Sequence, residues 1–464
     1  MARIILLSPP FVSEYMRNAR CDFVSLSATQ WYPILLGYAG AWLEKLGHTV
    51  RLIDAPAHDL THEATADIVK DFRPDLIAVY SGRLSEDNDV AFADSLLKKI
   101  GCRGIFVGPY ASIDPKSTLC KSGMIEHLVT GPFELPLGAF ANGDDPASIP
   151  NLVRKNGGEV VENPRRAPLT TAELDAIPFV SDFLGRNVDM YRYHTPSELF
   201  PYMDMFTGRG CSWGLCTYCL WVHTLIPGKS YTTRSVENVV EEFGFIARKM
   251  PAVKSIMLQD DTLTEPRAQE LCEGFLRAGN RLPWSCYSRG NLSLDVMKLM
   301  KKAGCRNLHV GYESADPKVL QRIRKGLTPE RMTRFTRDAK KAGLMIHGDF
   351  AFGFPGETVE SAEKTIRWAY SLNPDTAQFQ LMIPFPGTSY YEEMKRNGWL
   401  NEKGEPDMPQ FSNAEIRATA KKAYRTFYIS LQHLMKAVRK PREHIFNQLK
   451  TISRAIPAMF WKRW

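Results

Sequence analysis

No part of this 464-residue chain holds an apolar run near the roughly 20 residues that a membrane-spanning helix requires. The opening Ala2-Arg3-Ile4-Ile5-Leu6-Leu7-Ser8 is too short for the apolar region of a secretory signal. It runs straight into Pro9-Pro10, so it reads as a first β-strand. Nine cysteines are an odd number, and with no secretory segment a disulfide framework is not expected. The chain is expected in the cytoplasm, with reduced thiols. No Gly-x-Gly-x-x-Gly follows the first strand, which argues against a dinucleotide. Acidic residues are scarce at one end. From Asn413 onward twelve Lys and Arg face only Glu415 and Glu443, a balance of about +10. With +8 overall, residues 1–412 sum to about −2, so the basic character belongs to the tail.

Against these absences stands one dense cluster, Gly-Arg-Gly-Cys211-Ser-Trp-Gly-Leu-Cys216-Thr-Tyr-Cys219-Leu-Trp. Three thiolates on one short loop can share a soft metal centre. A structural zinc site normally closes with four protein ligands, and His223 or Cys286 would be the candidate fourth. An iron–sulfur cluster held by three cysteines instead leaves one iron open. Gly208, Gly210 and Gly214 let the loop fold around a bulky centre, and Trp213, Tyr218 and Trp221 would shield it from water.

Residues 1–140 alternate short apolar strands with amphipathic helices. Strands are expected at Ile4–Leu7, Val50–Ile53, Leu76–Val79, Ile105–Val107 and Ile125–Val129, and helices at Ile34–Leu46, Glu63–Phe72 and Asp87–Lys99. This order predicts a doubly wound parallel sheet of the Rossmann or flavodoxin type, which binds ligands beyond its C-terminal strand ends. Ser8, Ser81, Gly108, Gly131 and Glu134 stand at those ends. Glycines and hydroxyls at successive ends suit a large flat cofactor. Residues 141–200, with Gly157-Gly158, Asn163-Pro164 and Ile177-Pro178, read as a linker. From 201 to 391 six further strand–helix units suggest a partial barrel, with chemistry at the strand ends. Its strands are expected at Tyr202–Thr207, Ser255–Leu258, Trp284–Tyr287, Leu308–Gly311, Met345–Phe352 and Ala377–Met382. The cysteine loop follows the first of them.

The motifs behind these strands resemble the radical SAM enzymes. They are Gln259-Asp260-Asp261-Thr262, Ser288-Arg289-Gly290-Asn291, Gly311-Tyr312-Glu313-Ser314, His347-Gly348-Asp349 and Gly353-Phe354-Pro355-Gly356-Glu357-Thr358. The resemblance implies a [4Fe-4S] cluster on Cys211, Cys216 and Cys219. It also implies S-adenosylmethionine (SAM) held by Asp260, Asp261, Arg289, Glu313 and His347. A carboxylate suits the amino group of SAM, an arginine grips its carboxylate bidentately, and Glu313 matches the ribose-binding residue of the family. Helix capping is the alternative role for Asp261 or Thr264. The usual spacing in the family is Cys-x3-Cys-x2-Cys. This chain has Cys-x4-Cys-x2-Cys, one residue more in a glycine-containing loop.

The segments Tyr32-Pro33-Ile34-Leu35-Leu36-Gly37-Tyr38, Leu43-Glu44-Lys45-Leu46-Gly47-His48 and Leu52-Ile53-Asp54-Ala55 look like the cobalamin-binding domains that precede radical SAM domains. None of the ten histidines has Asp two positions before it, so the family's Asp-x-His-x-x-Gly cobalt ligand is missing. A sheet that kept this fold without the cofactor is the alternative. Trp31-Tyr32-Pro33, Asp54-Ala55-Pro56, Cys219-Leu220-Trp221 and Pro384-Phe385-Pro386-Gly387-Thr388 bring the pattern nearest to the hopanoid-biosynthesis radical SAM proteins and to ring-forming enzymes of chlorophyll synthesis.

The resemblance implies hydrogen abstraction by a 5′-deoxyadenosyl radical. Methylation or rearrangement of an unactivated carbon in an apolar or lipid-linked substrate would follow, with a flavodoxin- or ferredoxin-type electron donor. Oxidative cyclisation without functional cobalamin is the second reading. A metal-stabilised scaffold is the third, and SAM-shaped polar groups at successive strand ends argue against it. In residues 392–464, Tyr424, Phe427, Tyr428, Leu431, Leu434, Met435 and Val438 form one apolar helical stripe. Ile445, Phe446, Leu449, Ile452 and Ile456 form another. With the surrounding cations and the terminal Trp461 and Trp464, this extension suits the surface of an anionic membrane on the inner face. Packing on the barrel is the alternative. No RNA-binding module is recognised, so no nucleic-acid partner is expected.

Overall fold

The computed structural model describes residues 1–17, 22–25 and 29–439. The first sheet is built around β1 (Arg3–Ser8), which is followed by a small antiparallel hairpin, β2 (Tyr15–Arg17) and β3 (Asp22–Val24). The chain then adds β4 (Thr49–Asp54), β5 (Leu76–Tyr80), β6 (Arg103–Val107) and β7 (His127–Val129). These run parallel in the spatial order β4-β1-β5-β6-β7. That is the flavodoxin-like order, whose crevice lies where β1 and β5 diverge.

Period-two side chains explain why the sheet is covered on both faces. Ile4 and Leu6 of β1, with Leu76 and Ala78 of β5, join one core; Ile5, Leu7, Ile77 and Val79 join another. The second core is closed by helices at His62–Phe72 and Glu86–Ile100. The first is closed by the helix Ile34–Lys45 and continues without a break into the barrel.

Residues 141–200 do more than link. Strands β8 (Leu152–Asn156) and β9 (Glu159–Glu162) extend the sheet antiparallel beyond β7. The helix Val180–Asn187 lies on the helix Ile34–Lys45, where a Cβ at Gly40 would enter the ring of Phe183. The sequence reading missed this because Gly-Pro-rich flanks conceal two short strands of weak alternation.

The second sheet is wholly parallel and runs in chain order. Its first strand is β10 (Tyr202–Met205); a loop ribbon follows, β11 (Gly208–Gly210) paired with β12 (Tyr231–Thr233). Then come β13 (Ser255–Leu258), β14 (Trp284–Ser288), β15 (Cys305–Glu313), β16 (Met345–Phe352) and β17 (Thr376–Leu381). The intervening helices start on hydroxyl caps. Ser235, Thr264, Ser293, Thr328 and Thr358 each accept a bond from the backbone N–H three residues on.

The two sheets are joined through tyrosines. Tyr32 Oη donates to the Tyr202 carbonyl (2.8 Å), and Tyr38 Oη accepts from Phe206 N (2.9 Å). The helix Asn413–Tyr428 covers the last strand. Tyr424 and Phe427 pack on Phe379, while Tyr428 Oη bonds both the N–H (2.9 Å) and the carbonyl (2.7 Å) of Ala377. The exposed edge of β17 is thereby capped. In the next helix, Leu431–Arg439, Leu431 and Val438 are about three-quarters exposed, so the apolar stripe divides between barrel and solvent. The second stripe and the terminal tryptophans lie outside the described residues. No helix among the described residues is long and apolar enough to cross a membrane.

Candidate functional site

The cysteine loop is shaped by its glycines. Gly210 has φ +87°, and a Cβ there would collide with the Ser230 carbonyl across the β11–β12 ribbon. Gly214, at φ +62°, would collide with the Gly228 backbone. Glycine alone fits both places. The loop is pinned beyond them: Thr217 N donates to the Ile323 carbonyl (3.1 Å) and Tyr390 N to the Thr217 carbonyl (3.0 Å). Cys216 is buried, and Cys211 and Cys219 are half-buried. Burial pushes the Cys216 thiol up and the Cys219 thiol to about 12, the latter aided by Cys216 beside it. A soft cation would have to displace these protons, since the thiolate is the ligand. Three cysteines on one loop are the donor chemistry of a cluster, although no three His, Cys, Asp or Glu side chains among the described residues are gathered closely enough to hold a single metal ion. The zinc alternative finds less support. His223 is engaged at both ring nitrogens, by the Cys219 carbonyl (2.8 Å) and Ser389 Oγ (3.4 Å). Cys286 is fully buried beside Cys305 in the core.

Two cations, Arg289 and Lys325, lie beside Cys216. Arg289 at the end of β14 reaches Cys216 Sγ (3.9 Å), bonds the Lys325 carbonyl and stacks on Trp213 (4.6 Å). Glu313 at the end of β15 accepts from Tyr218 Oη (2.8 Å) and Lys325 Nζ (2.9 Å), with φ at +63°, a conformation that a glutamate seldom adopts. Asp261 is close enough to Cys219 to raise its pKa. Asp261, Arg289 and Glu313 therefore converge on the loop.

Asp260 and His347 do not join them. Asp260 is fully buried, and its two oxygens accept from Thr207 N and Thr207 Oγ1 (2.6 Å each). That carboxylate ties the end of β10 to β13. His347 lies lower on the barrel wall, against Thr376 Oγ1 (2.7 Å) and Asp349 Oδ1 (3.3 Å). Thr264, not Asp261, caps the following helix. Lys325 was missed by the sequence reading, since nothing in Arg324-Lys325-Gly326 signals that this turn folds back over the cysteines.

The first sheet presents its strand ends to the same region. Gly131, at φ +68°, lies so near the Leu225 carbonyl that a Cβ would sit 3.2 Å from it. Gly108, at φ +114°, faces the ring of Tyr80. Ser81 Oγ, Tyr80 Oη and Glu134 Oε2 are buried with no hydrogen-bond partner among the described residues. Unpaired buried polar atoms beside side-chain-free glycines make a cradle over β5, β6 and β7 that suits a large polar ring system. Ser8 is placed differently. It receives Arg17 Nη1 (3.3 Å), and Arg17, fully buried, pairs with Asp89 (2.6 Å) in the crevice between β1 and β5.

Between the two sites runs a buried ion pair. Glu134 Oε1 accepts from Arg209 Nη2 (2.8 Å), and Arg209, two residues before Cys211, stacks on Phe206 (4.2 Å) and Tyr38 (4.8 Å).

Residues 205–369 match the family model described as the radical SAM superfamily. The chain is 32% identical over 456 residues to an uncharacterized methyltransferase of Pyrococcus horikoshii, with 94% of each chain covered. It is 25% identical to hopanoid C-3 methylase of Methylococcus capsulatus, covering 90% of this chain and 75% of that one. Its fold is similar to that of TsrM from Kitasatospora setae, a radical SAM methyltransferase solved with cobalamin and a [4Fe-4S] cluster bound. The TM-score is 0.68 at 19% identity, covering 85% of this chain and 75% of that one.

Proposed function

Because this chain belongs to the radical SAM superfamily, we propose that it is a cobalamin-dependent methyltransferase acting on an unactivated carbon of a small molecule. The observation that carries this reading is the convergence of a three-cysteine loop and a polar, glycine-lined strand-end cradle on one region. Cys211, Cys216 and Cys219 would hold the [4Fe-4S] cluster. Asp261, Arg289 and Glu313 would meet the amino, carboxylate and ribose groups of SAM. Tyr80, Ser81, Gly108, Gly131 and Glu134 would meet the corrinoid. When bound, these groups supply the electron, the hydrogen-abstracting fragment and the methyl group.

The protein's own work is placement and exclusion. Arg289 and Lys325 bring positive charge to the thiol side of the loop. Trp213, Tyr218 and Trp221, each half-buried, limit the access of water. Glu134 and Arg209 lock the cradle to the loop, so that the two sites keep one spacing. Asp260 fixes the strand end from which the loop departs.

An electron donor of the flavodoxin or ferredoxin class would complete the system. The resemblance also favours an apolar or lipid-linked substrate and a tail that touches the inner membrane face; rearrangement would be the alternative outcome to methylation. Oxidative cyclisation without corrinoid is favoured by one observation, the Arg17–Asp89 pair that already fills the switch-point crevice beside Ser8.

The test is anaerobic turnover with SAM carrying a deuterated methyl group and a strong reductant. 5′-Deoxyadenosine, requiring Cys216, and S-adenosylhomocysteine, requiring added corrinoid as well, are both expected. Formation of 5′-deoxyadenosine alone, indifferent to corrinoid, would favour the second reading.

A further inference from the structure

The inner wall of the barrel carries a polar surface that neither the cluster loop nor the cradle uses. Outward-facing residues such as Leu308, Val310, Ile346 and Phe350 pack against the helices. The alternate residues face inward and form rows across the strands. Tyr287, His309, His347 and Thr376 stand side by side in one row, and Gly311, Asp349 and Gln378 in the next.

These groups are organised. His347 is held at one nitrogen by Thr376 Oγ1 (2.7 Å) and turns the other toward Asp349 Oδ1 (3.3 Å). The His309 ring lies behind it at 4.8 Å, itself flanked by Tyr287 at 5.2 Å. Deeper still, Glu198 accepts from Ser255 and Ser285 (3.1 Å each), with Oε1 3.8 Å from His309 Nε2. Toward the open side, Gln378 Nε2 donates to Gln380 Oε1 (2.9 Å). The side chains of His347 and Asp349 are 14% and 24% exposed, so they face space rather than packing.

The charge of the wall is one-sided. Neither row contains Lys or Arg, while Arg289 and Lys325 at the rim are engaged with the cysteine loop and Glu313. Asp349 is the ionisable anion of the upper row. Arg306 lies deeper, against the Ser197 carbonyl and beside Glu198. An anionic substrate would therefore meet no Lys or Arg in either row, and a hydrocarbon would cover these dipoles without replacing their bonds with water.

We infer that the His347–Asp349 pair, with Gln378 and Gln380, is a substrate subsite for a polar, non-anionic small molecule that presents an ammonium or N–H group to Asp349. This rests on the reading of the barrel as a radical SAM active site. It replaces the lipid-linked substrate class with amines, amides or nitrogen heterocycles.

The test is ligand-observed NMR on the anaerobically reconstituted protein with SAM bound. Four probes of simple chemistry serve: benzylamine, benzamide, benzoate and geraniol. The amine and the amide are expected to bind at least about tenfold more tightly than benzoate or geraniol, the scale of one charge-assisted hydrogen bond. Asp349→Asn should weaken benzylamine by about tenfold, with iron content and SAM affinity unchanged. Gln378→Leu serves as a second variant should Asp349→Asn fold poorly. Preference for benzoate or geraniol, no binding of the amine and amide, or binding indifferent to both variants overturns the inference. Failure of the wider reading would show separately, as absent iron and SAM binding.

Discussion

Removing Glu134 while leaving Arg209 exposes the junction of the two sites to a direct energetic test. Arg209 is 9% exposed and Glu134 1%, and the guanidinium donates to Glu134 Oε1 at 2.8 Å. Glu134→Ala would strand a buried cation, which costs about 3–5 kcal/mol when a buried ion pair loses one member. Arg209→Met removes the charge and retains much of the packing against Phe206 and Tyr38. The double variant should therefore recover most of that loss, giving a coupling of about 2–3 kcal/mol. Urea denaturation of the cluster-free protein in reducing buffer, followed by circular dichroism, reads all four corners of the cycle. Iron incorporation read in parallel should fall in Glu134→Ala, because Arg209 lies in the strand that leads into Cys211. Additive single effects, or a Glu134→Ala cost below about 1 kcal/mol, would refute the buried coupling.

Three further outcomes follow from the geometry. Burial raises the carboxyl of Glu357 from its ordinary 4.5 to about 8, although Gly353 N and Phe354 N donate to it. The folded chain then keeps a proton that the unfolded chain releases. Stability is full below about pH 4.5 and falls as pH rises to about 8, by up to about 4 kcal/mol. Glu357→Gln should match the parent near pH 5 and exceed it at pH 8 in denaturant titrations; parallel profiles would contradict this. Glu198, raised to about 7 by burial, keeps its own decline in both proteins. Gly210→Ala should block iron incorporation at a stability cost of about 1–3 kcal/mol, from the collision with Ser230 and a φ of +87°; normal iron content would show that the loop can relax. Tyr428→Phe should cost about 1–3 kcal/mol by thermal unfolding, since it leaves both backbone groups of Ala377 unpaired, and an unchanged midpoint would mean that water replaces the hydroxyl.

Much of the fold was legible because parallel strands buried on both faces are written as bare apolar runs. Ser255–Leu258 and Met345–Phe352 appear as expected, and β1, β4 and β5 differ only at their ends. The hydroxyl caps at Thr264, Ser293 and Thr328 reinforce the same reading. Strands β8 and β9 were hidden because a solvent-facing antiparallel edge has little apolar signal. At the site, residues next to strand ends could be placed from sequence: Arg289, Glu313 and Asp261 gather at the cysteines. What sequence could not supply was side-chain destination. Asp260 turns inward to Thr207 while its neighbour Asp261 turns to the loop, and Glu134 meets Arg209 across 75 positions. Arg17, at the end of β2, and Lys325, in a folded-back turn, reach partners that no spacing rule anticipates.

The most direct measurement is iron, sulfide and corrinoid analysis of one anaerobically reconstituted sample, beside Cys216→Ala and Ser81→Trp. About four irons and one corrinoid per chain are predicted, as expected for a [4Fe-4S] centre and one cradle. Iron should be lost only in Cys216→Ala and corrinoid only in Ser81→Trp. Zinc in place of iron, or a full iron complement with no corrinoid in the parent protein, would contradict the account.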